Sequence, residues 1–510
     1  MGQTSYAWLA ARCLILIGKD RLNPWERKCG SMENHVEDRN LELESGSKNR
    51  YIVLLLVLTG VLMAVVDGSV VSIALPTITE YFNVSIAQSQ MIMTSYLVTL
   101  TSLLMIFGKV AEYVGKAKLF FLGIALFSLS SLACGMSPSL NILVLCRIIQ
   151  ATGAAMMFSI SSAIIFQAFP RGEQGRAMGY IGTTVAIGSI LGPTLGGFIV
   201  DLLGWKYIFL INVPIGIIQL LLSSRYMRIE DKRSSTLKVD WVGAITLITF
   251  IVSMMALLGQ LAISFAFQPA ILALALIFLV SLTAFVINES RHKAPLLDPS
   301  IFRYRMFVLP CISMILFFVA NLMISMLGPF YFEGVMGYTA SQVGLIYLIV
   351  PAIMVIGAPV TGWIYDKHQF RYLAALGMMI MAISMILLGY LAGSLGHDPR
   401  LLLLTFVSTG IGAVFFQGPN NTEIMRALPR AKINIASSFT ATIRNLGMAL
   451  GISFSGILVS LQLAQAGYYG TLVEAGPELL SATIGRVMML AGILCIIGAL
   501  VSVFRGMNSA

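Results

Sequence analysis

Two stretches deep in apolar sequence carry charge. VVDGSVVSIALPTI places Asp67 in a run long enough to cross a membrane, with Gly68, Ser69 and Ser72 beside it. LCRIIQATGAA places Arg147 in another such run, with Gln150 one helical turn on. A carboxylate in hydrocarbon is costly, so it must be protonated, paired, or facing a water-filled cavity. Arg147 is the candidate partner. An arginine close by favours the charged carboxylate, and withdrawing it favours the protonated form. A pair that opens and closes can therefore load and release a proton. Two readings stay open at this point: a proton-coupling pair, or a structural ion pair without turnover.

The elements that position these residues follow from composition. The chain has 510 residues, 57% of them hydrophobic and only 11% charged, where soluble domains carry about one quarter. Apolar runs of roughly 20 residues, enough to span about 30 Å of hydrocarbon as helix, recur almost end to end. Segments begin near Tyr51, Gln88, Lys118, Asn141, Gly175, Trp205, Asp240, Ala266, Met306, Ala340, Arg371, Arg400, Ile433 and Ser481. Lys and Arg gather on alternate connections: Lys109, Lys116, Lys118, Arg171, Arg176 and on to Arg426, Arg430 and Lys432 on one side, against Lys206, Arg400 and Arg486 on the other. The positive-inside rule then predicts fourteen crossings with both termini cytoplasmic. The net charge of +10 reflects this topology and the anionic headgroups of membrane lipids. No nucleic-acid patch is evident.

Residues 1–50 read as a disordered cytoplasmic tail, polar and mixed in charge over residues 33–50. The apolar stretch Trp8 to Ile17 is too short to span and lacks a basic lead, which argues against a cleaved signal peptide. Met32 is the expected true start, with residues 1–31 untranslated. Six cysteines are scattered without ligand spacing, and the four histidines, His35, His292, His368 and His397, fall in the tail or in connections. Neither a disulfide nor a metal site is expected, and no cofactor beyond a coupling proton. No GxxxxGK[ST] loop is present to bind ATP. An enzyme is disfavoured, since no catalytic nucleophile and base are grouped.

An internal repeat organises the fourteen segments. GKVAEYVGKAK follows segment 2, with Gly108, Glu112, Gly115, Lys116 and Lys118; GWIYDKHQFR joins segments 10 and 11, with Gly362 and Asp366 at the same Gly-to-acid spacing. Segment 5 carries Gly188, Gly192 and Gly196 four apart, and segment 13 carries Gly447, Gly451 and Ser455 likewise. Both matches lie eight segments apart. They predict two six-helix bundles, residues 51–230 and 306–506, with two inserted helices over residues 240–290, an organisation common among secondary transporters. Small residues every fourth position let helices approach closely in lipid. Pro193 removes one backbone donor and bends segment 5. That helix can be a gate, or a static packing element.

Together with WKYIFLINVPIG, PLLDPSIF, GPNNTEIM and RNLGMALG, these motifs make the chain after residue 50 resemble the fourteen-helix drug:proton antiporters of the major facilitator superfamily. The resemblance implies an all-α membrane fold of two six-helix bundles plus two inserted helices. It implies proton coupling by Asp67 and Arg147, and an antiporter motif at Gly188, Gly192, Pro193, Gly196 and Gly197 that seals a face between the halves. The cytoplasmic loop motif would be Gly108, Glu112, Gly115, Lys116 and Lys118, repeated by Gly362 and Asp366. Two departures stand out. Glu112 and Tyr113 replace the usual Asp and basic residue, which alters the loop charge network with Arg171, Glu173 and Arg176. Ser69 and Ser72 replace the usual Thr and Asn.

The cargo is less legible. Gln150, Asn321, Glu333 and Glu423 are candidates to line a cavity or to act as secondary acids, each equally able to bond helix to helix. Without a second deep carboxylate in the carboxy-terminal half, monovalent or neutral amphiphiles are expected over dications. The expected function is proton-driven export of small amphiphilic compounds across the plasma membrane. The alternatives are export of one endogenous metabolite, lipid or siderophore, or a non-transporting membrane sensor or scaffold. A monomer is compatible with the sequence.

Overall fold

The computed structural model describes residues 24–84, 86–170, 172–227, 240–263, 268–292, 295–393, 398–429, 432–468 and 476–507, without side-chain placement for residues 24–49, 76, 86–87, 190, 193–194, 262–263, 340–341 and 505–507. All described elements are helical, and besides one 3-10 helix, Pro299–Arg303, there are sixteen α-helices. They are α1 (Pro24–Phe82), α2 (Ile86–Val114), α3 (Lys116–Gly135), α4 (Leu140–Ala168), α5 (Gln174–Leu203), α6 (Tyr207–Leu210), α7 (Asn212–Tyr226), α8 (Trp241–Ile263), α9 (Pro269–Arg291), α10 (Arg305–Gly334), α11 (Ala340–Tyr347), α12 (Ile349–His368), α13 (Leu373–Gly393), α14 (Pro399–Arg426), α15 (Ile433–Gln465) and α16 (Pro477–Met507). Among the described residues thirteen stretches are long and apolar enough to cross a membrane, and α5, with 30 residues, is a fourteenth helix of sufficient length. The pairs α6–α7 and α11–α12 each form one stretch. Helix satisfies every backbone group within the segment, which hydrocarbon requires.

The chain divides into two compact units, Met1–Ile52 and Val53–Ala510. In the first, residues 24–50, expected as a disordered tail, are helical instead. Pro24 is pre-set for a first helical turn, and no further proline interrupts the run before Ile52. Residues 1–23 lie outside the described residues.

In the second unit, the small-residue spacing becomes helix seams. A Cβ at Gly188 would meet Val65, one at Gly192 would fall on Ser69, and one at Gly196 on Val70, so the stripe on α5 rides along α1. Eight segments on, Gly447 and Gly451 of α15 ride in the same way on Ile315, Phe318, Val319 and Leu322 of α10. Gly123 and Gly153 bring α3 against α4, and Gly377 and Gly412 bring α13 against α14, again at the same offset. With lipid as apolar as leucine, this close approach supplies the packing. The inserted helices α8 and α9 pair with each other, and α8 leans on both α2 and α15. One turn demands glycine: Gly115, between α2 and α3, has φ 92° and ψ 143°, a region closed to residues with a Cβ.

Candidate functional site

Asp67 and Arg147 meet. Arg147 Nη1 donates to Asp67 Oδ2 at 2.5 Å and to Gln150 Oε1 at 2.6 Å. Gln150 Nε2, one turn along α4 and hence on the same face, donates to Asp67 Oδ1 at 2.9 Å and to Ser131 Oγ at 2.7 Å. Asn212 Nδ2 of α7 donates to the same Oδ1 at 3.0 Å. Arg147 Nε reaches the Ile92 carbonyl of α2 at 3.4 Å, and its guanidinium lies 4.1 Å from the centre of the Tyr96 ring. Five helices thus converge on one ion pair. Arg147 and Gln150 are wholly buried, and Asp67 and Tyr96 are 1% exposed.

Energetics bind the two charges to each other. Two charges taken out of water recover their hydration cost only with good geometry and full hydrogen bonding, and removing one partner costs about 3–5 kcal/mol. Neutralising Asp67 in place would therefore leave Arg147 buried without its counter-charge. A buried apolar cluster that includes Val71, Ile78, Leu143, Trp205 and Phe209 meets the pair at Phe209, whose ring centre lies 5.5 Å from the Arg147 guanidinium carbon. Sequence reasoning found Asp67, Arg147 and Gln150 but missed Asn212, Ser131 and Tyr96. Asn212, an amide isolated in the apolar stretch IFLINVPIG, was the available signal.

The loop motifs form a second constellation, at the ends of the helices that border the basic connections. Asp366 at the end of α12 accepts from the backbone N–H groups of Gly175 at 3.0 Å and Arg176 at 3.1 Å. A carboxylate thus sits on the positive N-terminus of α5. Arg426 of α14 bridges Asp366 and Gln174, each at 3.3 Å. The backbones can come this close because Gly362 faces Gly175 and Arg176 with no side chain between. Further contacts join the two six-helix groups nearby: Thr183 Oγ1 donates to the Met354 carbonyl at 3.0 Å, Ala163 N–H to Ser437 Oγ at 3.2 Å, and Gly108 lies against Ser438. Glu112 has no such role and pairs locally with Lys109 at 2.8 Å. Lys116 is buried and Lys118 lies on the first turn of α3.

Three of the glycines expected to seal a face between the halves pack within one half instead. Gly188, Gly192 and Gly196 face α1, within the same half, whereas the contacts across the halves fall earlier on α5, at Gly175, Gly179 and Gly182. A Cβ on Gly197 would meet nothing within 4 Å, and the Pro193 side chain lies outside the described residues. Arg171 does too. Of the remaining candidates, Asn321 is half-buried and Glu333 exposed on α10. Neither makes a side-chain hydrogen bond to the Asp67 cluster. Glu423 accepts from Tyr365 Oη at 3.2 Å, beside the Asp366 contacts.

Outside the membrane-spanning segments, Asp298 of PLLDPSIF accepts from Lys432 Nζ at 2.6 Å and from Ser300 N–H at 2.9 Å. Partial burial works to raise its pKa, but these bonds prevail and hold the carboxyl down at about 2. The pair ties the connection before α10 to the start of α15.

Residues 57–452 match the family model described as Major Facilitator Superfamily. The chain belongs to that superfamily. This major facilitator protein is 30% identical to riboflavin transporter RibZ of Clostridioides difficile (strain 630) over 457 residues, 90% of this chain and 98% of that protein. It is 29% identical to multidrug resistance protein 3 of Bacillus subtilis (strain 168), covering 80% and 79% of the two chains. The fold matches the proton:xylose symporter XylE with a TM-score of 0.59 at 14% identity, over 88% of this chain and 95% of that one. The protein is therefore an integral membrane transporter of small molecules rather than an enzyme, with multidrug efflux proteins among its relatives.

Proposed function

We propose that this transporter exports small amphiphilic compounds from the cytoplasm in exchange for protons, by alternating access between a bundle of residues 51–230 and one of residues 306–506, with the helices of residues 240–290 inserted between them. Both termini lie in the cytoplasm and the protein sits in the plasma membrane. One observation carries the reading: a buried carboxylate and arginine, held by Gln150, Asn212, Ser131, the Ile92 carbonyl and the Tyr96 ring in a network that spans five helices. Such a pair cannot take up a proton without moving its helices, which is the link between protonation and access that exchange requires. The glycine seam at Gly175 and Gly362, on the side of the basic connections, supports a gate on the cytoplasmic face. Energetically, one proton entering against one neutral molecule leaving gains about 2.3 kcal/mol per 100 mV. At about 1.4 kcal/mol per tenfold this sustains a gradient of roughly fiftyfold, enough to confer drug resistance.

The test uses inside-out vesicles with an acid interior and a pH-sensitive dye, to which candidate drugs are added. Proton release by the native protein and its loss in Asp67→Asn are expected; release that survives the substitution would refute coupling at Asp67. A second reading, export of a single metabolite, is favoured by the similarity to a riboflavin transporter across 98% of that protein's length. It predicts response to one compound in a broad panel.

A further inference from the structure

Arg444 is the unexplained charge of this molecule. It lies on α15 and is 5% exposed, yet among the described residues it has neither a carboxylate nor a hydrogen-bond acceptor. Its guanidinium lies over the Phe158 ring of α4, 5.5 Å from guanidinium carbon to ring centre. An arginine in a membrane interior pairs with an acid or with backbone carbonyls, because the desolvated cation is otherwise unpaid for, and an aromatic face compensates only part of that cost. Leucine or methionine would pack here without it.

Position adds the second argument. Arg444 lies eleven residues into the 33 residues of α15, about 17 Å along an axis of about 50 Å at about 1.5 Å per residue, within the central stretch of about 30 Å that hydrocarbon can cover. It points from the carboxy-terminal half towards the amino-terminal half, two turns beyond the contacts at Ser437 and Ser438 that join them. The interface between repeats near mid-membrane is where secondary transporters bind their cargo. Phe158 and Arg147 are eleven residues apart on α4, about three turns, and so share one face. A ligand that engages Arg444 therefore presses on the helix that carries the arginine of the coupling pair.

We infer that Arg444 binds an acidic group of the transported molecule, so that the substrates are organic anions bearing a carboxylate or similar oxyanion. This rests on the export reading and narrows it. The planar guanidinium offers five donors in a fork that matches a carboxylate, and the Phe158 ring beside it provides an apolar wall for the rest of an amphiphile. Asp67 and Arg147 cancel each other, which leaves Arg444 as an uncompensated positive charge at this interface. Anions neutralise it, and cations are repelled.

Two xanthene dyes of similar shape make the test: fluorescein, an anion, and rhodamine 6G, a cation. Binding to the purified full chain is measured for the native protein, Arg444→Gln and Arg444→Met, with size-exclusion profiles and thermal midpoints as folding controls. Fluorescein affinity is expected to fall at least tenfold in both variants, rhodamine 6G binding to stay the same or tighten, and the thermal midpoint to hold or rise as an unpaired charge is removed. Fluorescein binding within twofold of native in either folded variant overturns the inference, as does native protein that binds rhodamine 6G but not fluorescein, or neither. Proton-driven dye movement in vesicles is read separately. Arg444-dependent fluorescein binding without proton exchange leaves recognition standing and sinks export; proton-driven export of rhodamine 6G but not of fluorescein by the native protein does the reverse.

Discussion

Replacing Asp67 by Asn removes one charge and leaves the shape. The amide still accepts from Asn212 and Gln150 through its oxygen, but the atom facing Arg147 Nη1, now 2.5 Å from a carboxylate oxygen, becomes an N–H donor. Arg147 then stays buried and unpaired, which costs about 3–5 kcal/mol. For a bundle of this size, at about 2–4 °C per kcal/mol, the thermal midpoint in detergent should fall by at least roughly 6 °C. The double variant Asp67→Asn with Arg147→Met removes the stranded charge as well. It should regain most of that loss, because a buried pair replaced by uncharged groups of similar volume is often neutral in stability. Proton exchange should be absent in both variants. With Arg147→Met measured alone as the remaining corner, the cycle yields an interaction energy of about 2–3 kcal/mol for these contacting residues. A single variant as stable as the native protein, or a double variant no better than the single, would refute the argument that Asp67 compensates the arginine.

Other expectations follow from the basic-side contacts. Gly362→Val drives a side chain into the Arg176 backbone and should hold that seam open, raising maleimide labelling of a cysteine placed at Ser438 about tenfold; unchanged labelling argues against the seam. Asp298 has a carboxyl held at about 2 against about 3.9 in an unfolded chain, so its contribution is complete above about pH 4 and fades as pH falls towards 2. Asp298→Asn should therefore flatten the acid side of a stability–pH profile below pH 4, and an identical profile would show that the Lys432 pair contributes nothing. For Arg444, the anion-selective loss described above is the expected outcome.

The sequence by itself determined much of this protein. Apolar runs of spanning length dictate helices because hydrocarbon offers the backbone no other partner, and the eight-segment offset of Gly188 and Gly447 became matching seams on α1 and α10. Asp67 and Arg147 were legible as partners because two opposite charges are scarcely tolerable in lipid apart. Tertiary structure alone decided the rest. Asn212, Ser131 and Tyr96 are ordinary residues in apolar segments, and nothing local tells that their helices converge on Asp67 from 145, 64 and 29 positions away in the chain. Periodicity shows that a glycine stripe faces something, not whether that is α1 or the opposite half. Likewise Glu112 and Asp366 have the same spacing, yet Asp366 caps the start of α5 while Glu112 pairs with Lys109. That difference depends on which helix end each loop meets, a property of how the halves dock rather than of either motif.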